Sequence, residues 1–285
     1  MAVRILTDSA ADLPLKVAES SGVPIIPNSV YLGEREYADG VDLDAATFYQ
    51  MAGSGVAVRT ANPNPTVYHQ AFERLTAEGD AVIYICLSSG LSGSIQSATI
   101  ARSMLKHPEL VTIIDSLGAS LGEGLMVMRA LDLAAQGMGA AELVQAVTDY
   151  RDRLYHIFTL NTLSFAVKSG RVSAVSAMAA GLLDIKPVLH IPADGRIASL
   201  DKTRGRKKAI RMMLDVMATK GRNLQGQRVG ISHGVCEAEA LELAEAVKQE
   251  FGVGEVIIST IGPTIGTHVG PGTLALFFEG EAGRP

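Results

Sequence analysis

Cysteine is scarce. The 285-residue chain holds two, Cys86 and Cys236, and no CxxC pair. The thiolate sets that build structural zinc sites are therefore missing. The N-terminus passes from Met1 straight into a short apolar strand and Thr7-Asp8-Ser9. It has neither an apolar h-region nor a small-residue cleavage site, so a cytoplasmic protein with reduced, buried thiols is expected. Tryptophan is absent and aromatic residues make up 5%, which leaves few platforms for stacked bases. Basic charge is also in deficit. A net charge of −5 and a pI near 5.7 argue against a general nucleic-acid binder. Mean hydropathy is +0.23, yet the longest apolar runs, Ala81 to Leu87 and Leu274 to Phe278, are strand-sized. A transmembrane helix is not expected. GxGxxG and GK[ST] are both missing, and Asp39, Asp42 and Asp44 have no histidine pair beside them. No metal, nucleotide or other cofactor is assigned.

What is present is alternation. In the first half, apolar strands at Val3 to Leu6, Ala81 to Leu87 and Val111 to Ile114 alternate with helical patterns. Val67, Ala71 and Leu75 carry one of these at helical spacing. Asp12, ahead of Leu13-Pro14, reads as a helix N-cap. This order predicts an α/β domain with a parallel sheet over residues 1–154. It carries a small β-rich insertion over about 23–58, where Pro24, Pro27, Gly33 and Gly40 break up short strands. The second half, 155–285, reads as mixed α+β. Strands are expected at 155–160, 186–191, 196–200, 227–232, 255–260 and 273–278, and helices at 162–169, 173–183, 205–219 and 237–251. Ala193-Asp194-Gly195-Arg196 marks a hairpin turn.

The chemistry is expected in loops. Ser88-Ser89-Gly90-Leu91-Ser92-Gly93-Ser94 joins a buried strand to a helix. Its glycines admit close backbone approach, and the helix start offers free N–H groups to a phosphate or carboxylate. Gly90-Leu91-Ser92-Gly93 does not fit the GxSxG nucleophile elbow. Ile261 to Thr273 holds four glycines, two prolines and His268, and reads as a tightly shaped loop. Arg171, just past a helix end at Gly170, is placed to pair with an anion. Lys202 to Arg211 carries six Lys or Arg in ten residues, in a chain that is acidic overall. Arg204, Arg206, Lys207 and Lys208 within it form a candidate docking patch for an acidic partner or a phosphate.

These segments together resemble the DegV family. Thr7-Asp8-Ser9 with Asp12-Leu13-Pro14 is similar to its "TDSxxDLP", and Ser88 to Ser94 to its "SSGLSGT". Asp115-Ser116, Ser169-Gly170-Arg171-Val172-Ser173, Ile185 to Leu189 and Gly266 to Thr273 follow in the family's order. The resemblance implies two domains with a long-chain fatty acid between them. It implies that Thr60, Ser92 and His268 hold the carboxylate, supported by Asn62, Gly93, Ser94 and Arg171. It further implies a lipid-binding subunit that is not itself an enzyme and that presents the carboxylate to a partner fatty acid kinase for acyl phosphate formation. The sequence departs from the family at Ala61-Asn62, where serines are usual, and at Ser169, where a glycine is usual.

The energetics suit such a ligand. About 14 buried methylenes at roughly 0.8 kcal/mol each supply on the order of 11 kcal/mol before binding costs, provided the carboxylate keeps its hydrogen bonds. Ala174 to Leu183, with Met178, is a candidate tunnel wall. Two other readings stay open: a serine hydrolase using Ser92 and His268, and a phosphotransferase using the glycine-rich loops.

Overall fold

A computed structural model describes residues 2–171, 185–281 and 283–284. The expected helix at 173–183, and the tunnel wall assigned to it, lie outside these residues. The chain begins β1 (Val3–Asp8), α1 (Leu15–Ser21), β2 (Ile25–Ile26), β3 (Ser29–Leu32), β4 (Arg35–Ala38), α2 (Ala45–Gly53) and β5 (Val58–Ala61). It continues α3 (Pro65–Thr76), β6 (Ala81–Cys86), α4 (Ser94–Ser103), β7 (Val111–Asp115), α5 (Leu121–Ala135) and α6 (Ala140–Arg153). Then follow β8 (Leu154–Thr159), α7 (Ser164–Ser169), β9 (Ile185–His190), β10 (Ala198–Arg204), α8 (Arg206–Lys220) and β11 (Arg228–His233). The last elements are α9 (Glu237–Phe251), β12 (Glu255–Thr260), α10 (Pro263–Val269) and β13 (Leu274–Glu279).

Three sheets result. The first, β2-β1-β6-β7, is parallel throughout. Its strand β6 is buried at every residue because both faces are covered. Ile83 and Ile85 join the core cluster that contains α5, and Val82, Tyr84 and Cys86 meet Tyr68, Phe72 and Ala98 from α3 and α4. The second sheet, β10-β9-β8-β13-β11-β12, is mixed, with β11 and β12 its parallel pair. The third, β4-β3-β5, is small and antiparallel. Helix α5 lies between the first two sheets and buries ten of its fifteen residues, so it belongs to the core rather than to a surface. The fold is α/β with two domains.

Four local expectations differ from the structure. Asp12 does not cap α1. It ends a short 3-10 turn in the left-handed region at φ 45°, and its carboxylate is engaged by segments far along the chain. In α3 the buried stripe is Tyr68 and Phe72, which stack on Tyr84, while Val67 is 37% exposed. The small sheet runs over 29–61 and contains α2, whereas Ile25–Ile26 pairs with β1. The glycine-rich stretch before β13 contains a helix, α10. Pro263 sits in its first turn, and carboxylates of Asp12 and Asp39 accept from the N–H groups of Gly262 and Thr264.

Candidate functional site

The site grows from four chain segments that meet at one cavity. Thr60 and Asn62 leave the end of β5. Ser92 and Gly93 lie between β6 and α4. His268 sits on α10, and Arg171 follows the left-handed Gly170 that closes α7. These residues and Leu91 line the outer part of a cavity that encloses about 950 Å³ of empty space, its open mouth included. Gly93 and Arg171 are exposed, and Thr60, Asn62, Ser92 and His268 are half-buried. Deeper, the wall combines apolar Leu87, Phe158, Ile191, Ala275 and Phe277 with buried polar groups, among them Asn28, Ser120 and Ser232. Phe158, Ile191, Ala275 and Phe277 are each at most 6% exposed.

Thr60 and His268 are 208 residues apart in sequence, yet Thr60 Oγ1 and His268 Nε2 lie 2.9 Å from each other. Burial, and then the positive charge of Arg171, push the His268 pKa down to about 4. The imidazole is therefore neutral near pH 7, and its Nδ1 is buried without a partner among the described residues. A neutral ring that donates from Nε2 to Thr60 leaves the threonine hydroxyl free to donate into the cavity. Ser92 Oγ lies 2.9 Å from Ser94 Oγ and accepts from the Ser94 N–H at 3.2 Å, which pins the loop. Ser94 is buried behind Ser92 and does not line the cavity. Asn62 donates to Ser97 Oγ at 2.8 Å, and its Oδ1 lies so near Gly93 that a Cβ there would sit 3.3 Å away. Of the basic residues between 204 and 208, none lines this cavity. Arg206 is paired with Glu239 at 2.8 Å, while Arg204, Lys207 and Lys208 are exposed.

Sequence reasoning missed the polar shell behind α10. Asp8, Asp12 and Asp39 are all buried, and burial is the first cause that raises the pKa of each; Asp39 and Asp8 also raise that of Asp12, and Asp8 that of Asp39. For Asp39 the value reaches about 6. Asp12 Oδ2 accepts from Ser120 Oγ at 2.5 Å, and Ser120 Oγ lies 2.9 Å from Ser232 Oγ. Ser120, Ser232 and Asn28 all reach the cavity wall. Asp8 and Asp12 stand in the opening motif, but nothing local in the sequence marks Ser120, Ser232 or Asp39 as their neighbours. Glu123 is buried completely on α5, and burial raises its pKa well above the ordinary carboxyl range. The Thr7 hydroxyl is placed to donate to Glu123 Oε1 at 3.2 Å and to the Ile85 carbonyl at 3.0 Å. Among the described residues, no group of three or more His, Cys, Asp or Glu is placed to hold a metal ion, and no helix is long and apolar enough to cross a membrane.

The cavity thus joins an apolar wall to hydroxyls, an imidazole and a guanidinium at its mouth, a lining typical of small-molecule sites. The DegV family profile, described as "Uncharacterised protein, DegV family", matches residues 2–281, and the chain belongs to that family. A DegV domain-containing protein of Clostridium perfringens is 33% identical over 99% of this chain and 98% of its own length. One from Caldanaerobacter subterraneus is 34% identical over 97% and 98%. Among solved structures, a DegV family protein from Thermus thermophilus described by its fatty acid binding superposes with a TM-score of 0.87 at 29% identity, covering 98% of this chain and all of that one. DegV from Bacillus subtilis, a fatty acid binding protein, gives 0.88 at 28% identity over 99% and 100%.

Proposed function

We propose that this chain binds a long-chain fatty acid in the cavity, between the part formed by residues 1–154 and that formed by 155–285. The observation that carries the reading is one cavity that joins Thr60, Ser92 and His268 at its half-buried rim to the buried apolar side chains Leu87, Phe158, Ile191, Ala275 and Phe277. The acyl chain takes the apolar depth. The carboxylate takes hydrogen bonds from Thr60 and Ser92, with Arg171 supplying opposite charge at the exposed rim. Asn62 and Gly93 shape the loop. His268 acts through Thr60, as a fixed neutral donor. We further propose that the carboxylate at this mouth is presented to a partner kinase in the cytoplasm, and that the chain brings no catalytic group or cofactor of its own.

The hydrogen bonds favour binding over hydrolysis. His268 Nε2 is engaged with Thr60 rather than Ser92, and Ser92 Oγ is engaged with Ser94. The test is mass spectrometry of small molecules released by denaturing the purified protein, followed by uptake of added fatty acid by wild type and Ser92→Ala. Near-equimolar fatty acid, retained more weakly by the variant, supports the reading. A wild type that is empty and takes up none would overturn it. For the partner, Lys207→Glu with Lys208→Glu is expected to lower acyl phosphate formation and leave lipid affinity unchanged. Equal loss of both would refute that separation.

A further inference from the structure

The face of the six-stranded sheet that lines the cavity has a direction. Thr273, just before β13, and Ala275 and Phe277 on it alternate onto that face, and on β8 Phe158 and His156 do the same. Ala275 pairs with Phe158, and Phe277 with His156. Thr273 is tied to the end of α10, its hydroxyl donating to the carbonyls of Val269 and Gly270 at 3.0 and 2.9 Å. The α10 end of this face is thus the mouth, beside His268. Moving from Thr273 to Phe277 goes about 14 Å away from the α10 end, at roughly 3.4 Å per residue. The position reached is occupied by the His156 ring, 1% exposed and packed edge-on against Phe277 at 5.3 Å.

His156 is held from behind. A Cβ built on Gly118 would lie 2.4 Å from its Cε1, and one built on Gly122 would lie 2.2 Å from the same atom. Gly118, just before α5, and Gly122, in its first turn, therefore leave the space that this ring occupies. Both ring nitrogens are buried and unpartnered among the described residues. The ring does not serve the hydrogen-bond network that runs through Ser120 and Ser232. Its remaining structural part is bulk at the inner end of the cavity wall.

We propose that His156 is the floor of the acyl channel and sets the longest chain this protein accepts, with Gly118 and Gly122 fixing the depth of that floor. The inference rests on the fatty-acid reading above and adds the element that selects among fatty acids. Removing the ring clears a volume worth about two or more methylenes at the inner end. Adding a methyl behind it, at Gly118, drives the ring toward the mouth.

The experiment loads delipidated wild type, His156→Ala, His156→Phe and Gly118→Ala with an equimolar mixture of saturated acids from lauric to behenic. The bound distribution is then read by mass spectrometry, with circular dichroism on each variant. His156→Ala is expected to move the optimum about two carbons longer, Gly118→Ala to move it shorter, and His156→Phe to leave it near wild type because bulk is retained. The double variant Gly118→Ala with His156→Ala is expected to lose the shortening and keeps the test decisive where Gly118→Ala alone misfolds. An unchanged optimum in a folded, lipid-binding His156→Ala overturns the gauge and leaves the fatty-acid reading standing. Failure of wild type to take up any acid of the series overturns both.

Discussion

His268 offers the sharpest physical test of the site. Its ordinary pKa of 6.5 falls to about 4 in the folded protein, because burial and then Arg171 penalise the imidazolium. The unfolded chain takes up a proton over a window in which the folded one does not. Stability supplied by the neutral ring is therefore present above pH 6.5 and is lost as pH falls toward 4. At about 1.4 kcal/mol per pKa unit, the loss across the window is about 3 kcal/mol. The assay is urea unfolding of ligand-free wild type and His268→Asn at a series of pH values between neutrality and about pH 4. Other titrating groups are common to both proteins and drop out of the difference. His156, pushed down by burial and then Arg284, adds a slope of the same sign. Asp39, raised to about 6, adds one of opposite sign, favouring the fold at low pH. The difference curve is expected to close by about 3 kcal/mol as pH falls. Parallel curves would refute the assignment of a neutral, dry imidazole at the mouth.

Three further outcomes follow from the same geometry. Arg171→Gln removes a repelling charge and should raise the His268 pKa above its wild-type value; an NMR titration of the ring that shows no movement would disprove their electrostatic contact. Asp12→Ala strands the Gly262 N–H and the Ser120 hydroxyl. A loss of about 2–4 kcal/mol in denaturant unfolding is expected, and a loss below about 1 kcal/mol would mean the tie carries little. Glu123→Gln mimics the protonated acid, so its stability relative to wild type should rise as pH climbs above the ordinary carboxyl value; a slope of the opposite sign would show that Glu123 is ionised in the fold.

The sequence reveals the parts of this protein that depend on near neighbours. The run from Ala81 to Leu87 reads as a strand covered on both faces because its apolarity is continuous, and the fold covers both faces of the strand Ala81–Cys86. The turn at Ala193–Arg196 reads as a hairpin because Asp194 and Gly195 carry the signal locally, and β9 and β10 are antiparallel. Helix α10 does not read as a helix. It is only seven residues long, within a glycine-rich stretch, and its first turn is completed by carboxylates from Asp12 and Asp39, more than two hundred residues away. Nothing within a local window reports such partners. The same limit applies to the site. Thr60, Ser92, His268 and Arg171 stand out as loop residues and through family resemblance, and all four line the cavity. Ser120, Ser232 and His156 sit in ordinary helical and strand patterns, and only the packing of α5 against both sheets brings them to its wall.

The strand order has a consequence for synthesis. β13 lies between β8 and β11 in the six-stranded sheet, although it follows both in sequence. While the ribosome is still making residues 274–279, β8 and β11 have no partner between them, and Ala275 and Phe277 are not yet in the wall they complete. A nascent chain therefore carries the mouth residues Thr60 and Ser92 long before it has an enclosed space behind them. The cavity wall is completed in one late step, when β13 inserts between two strands that precede it in the chain. Until then the edges of β8 and β11 that pair with β13 lack their partners, and unpaired strand edges are prone to aggregation.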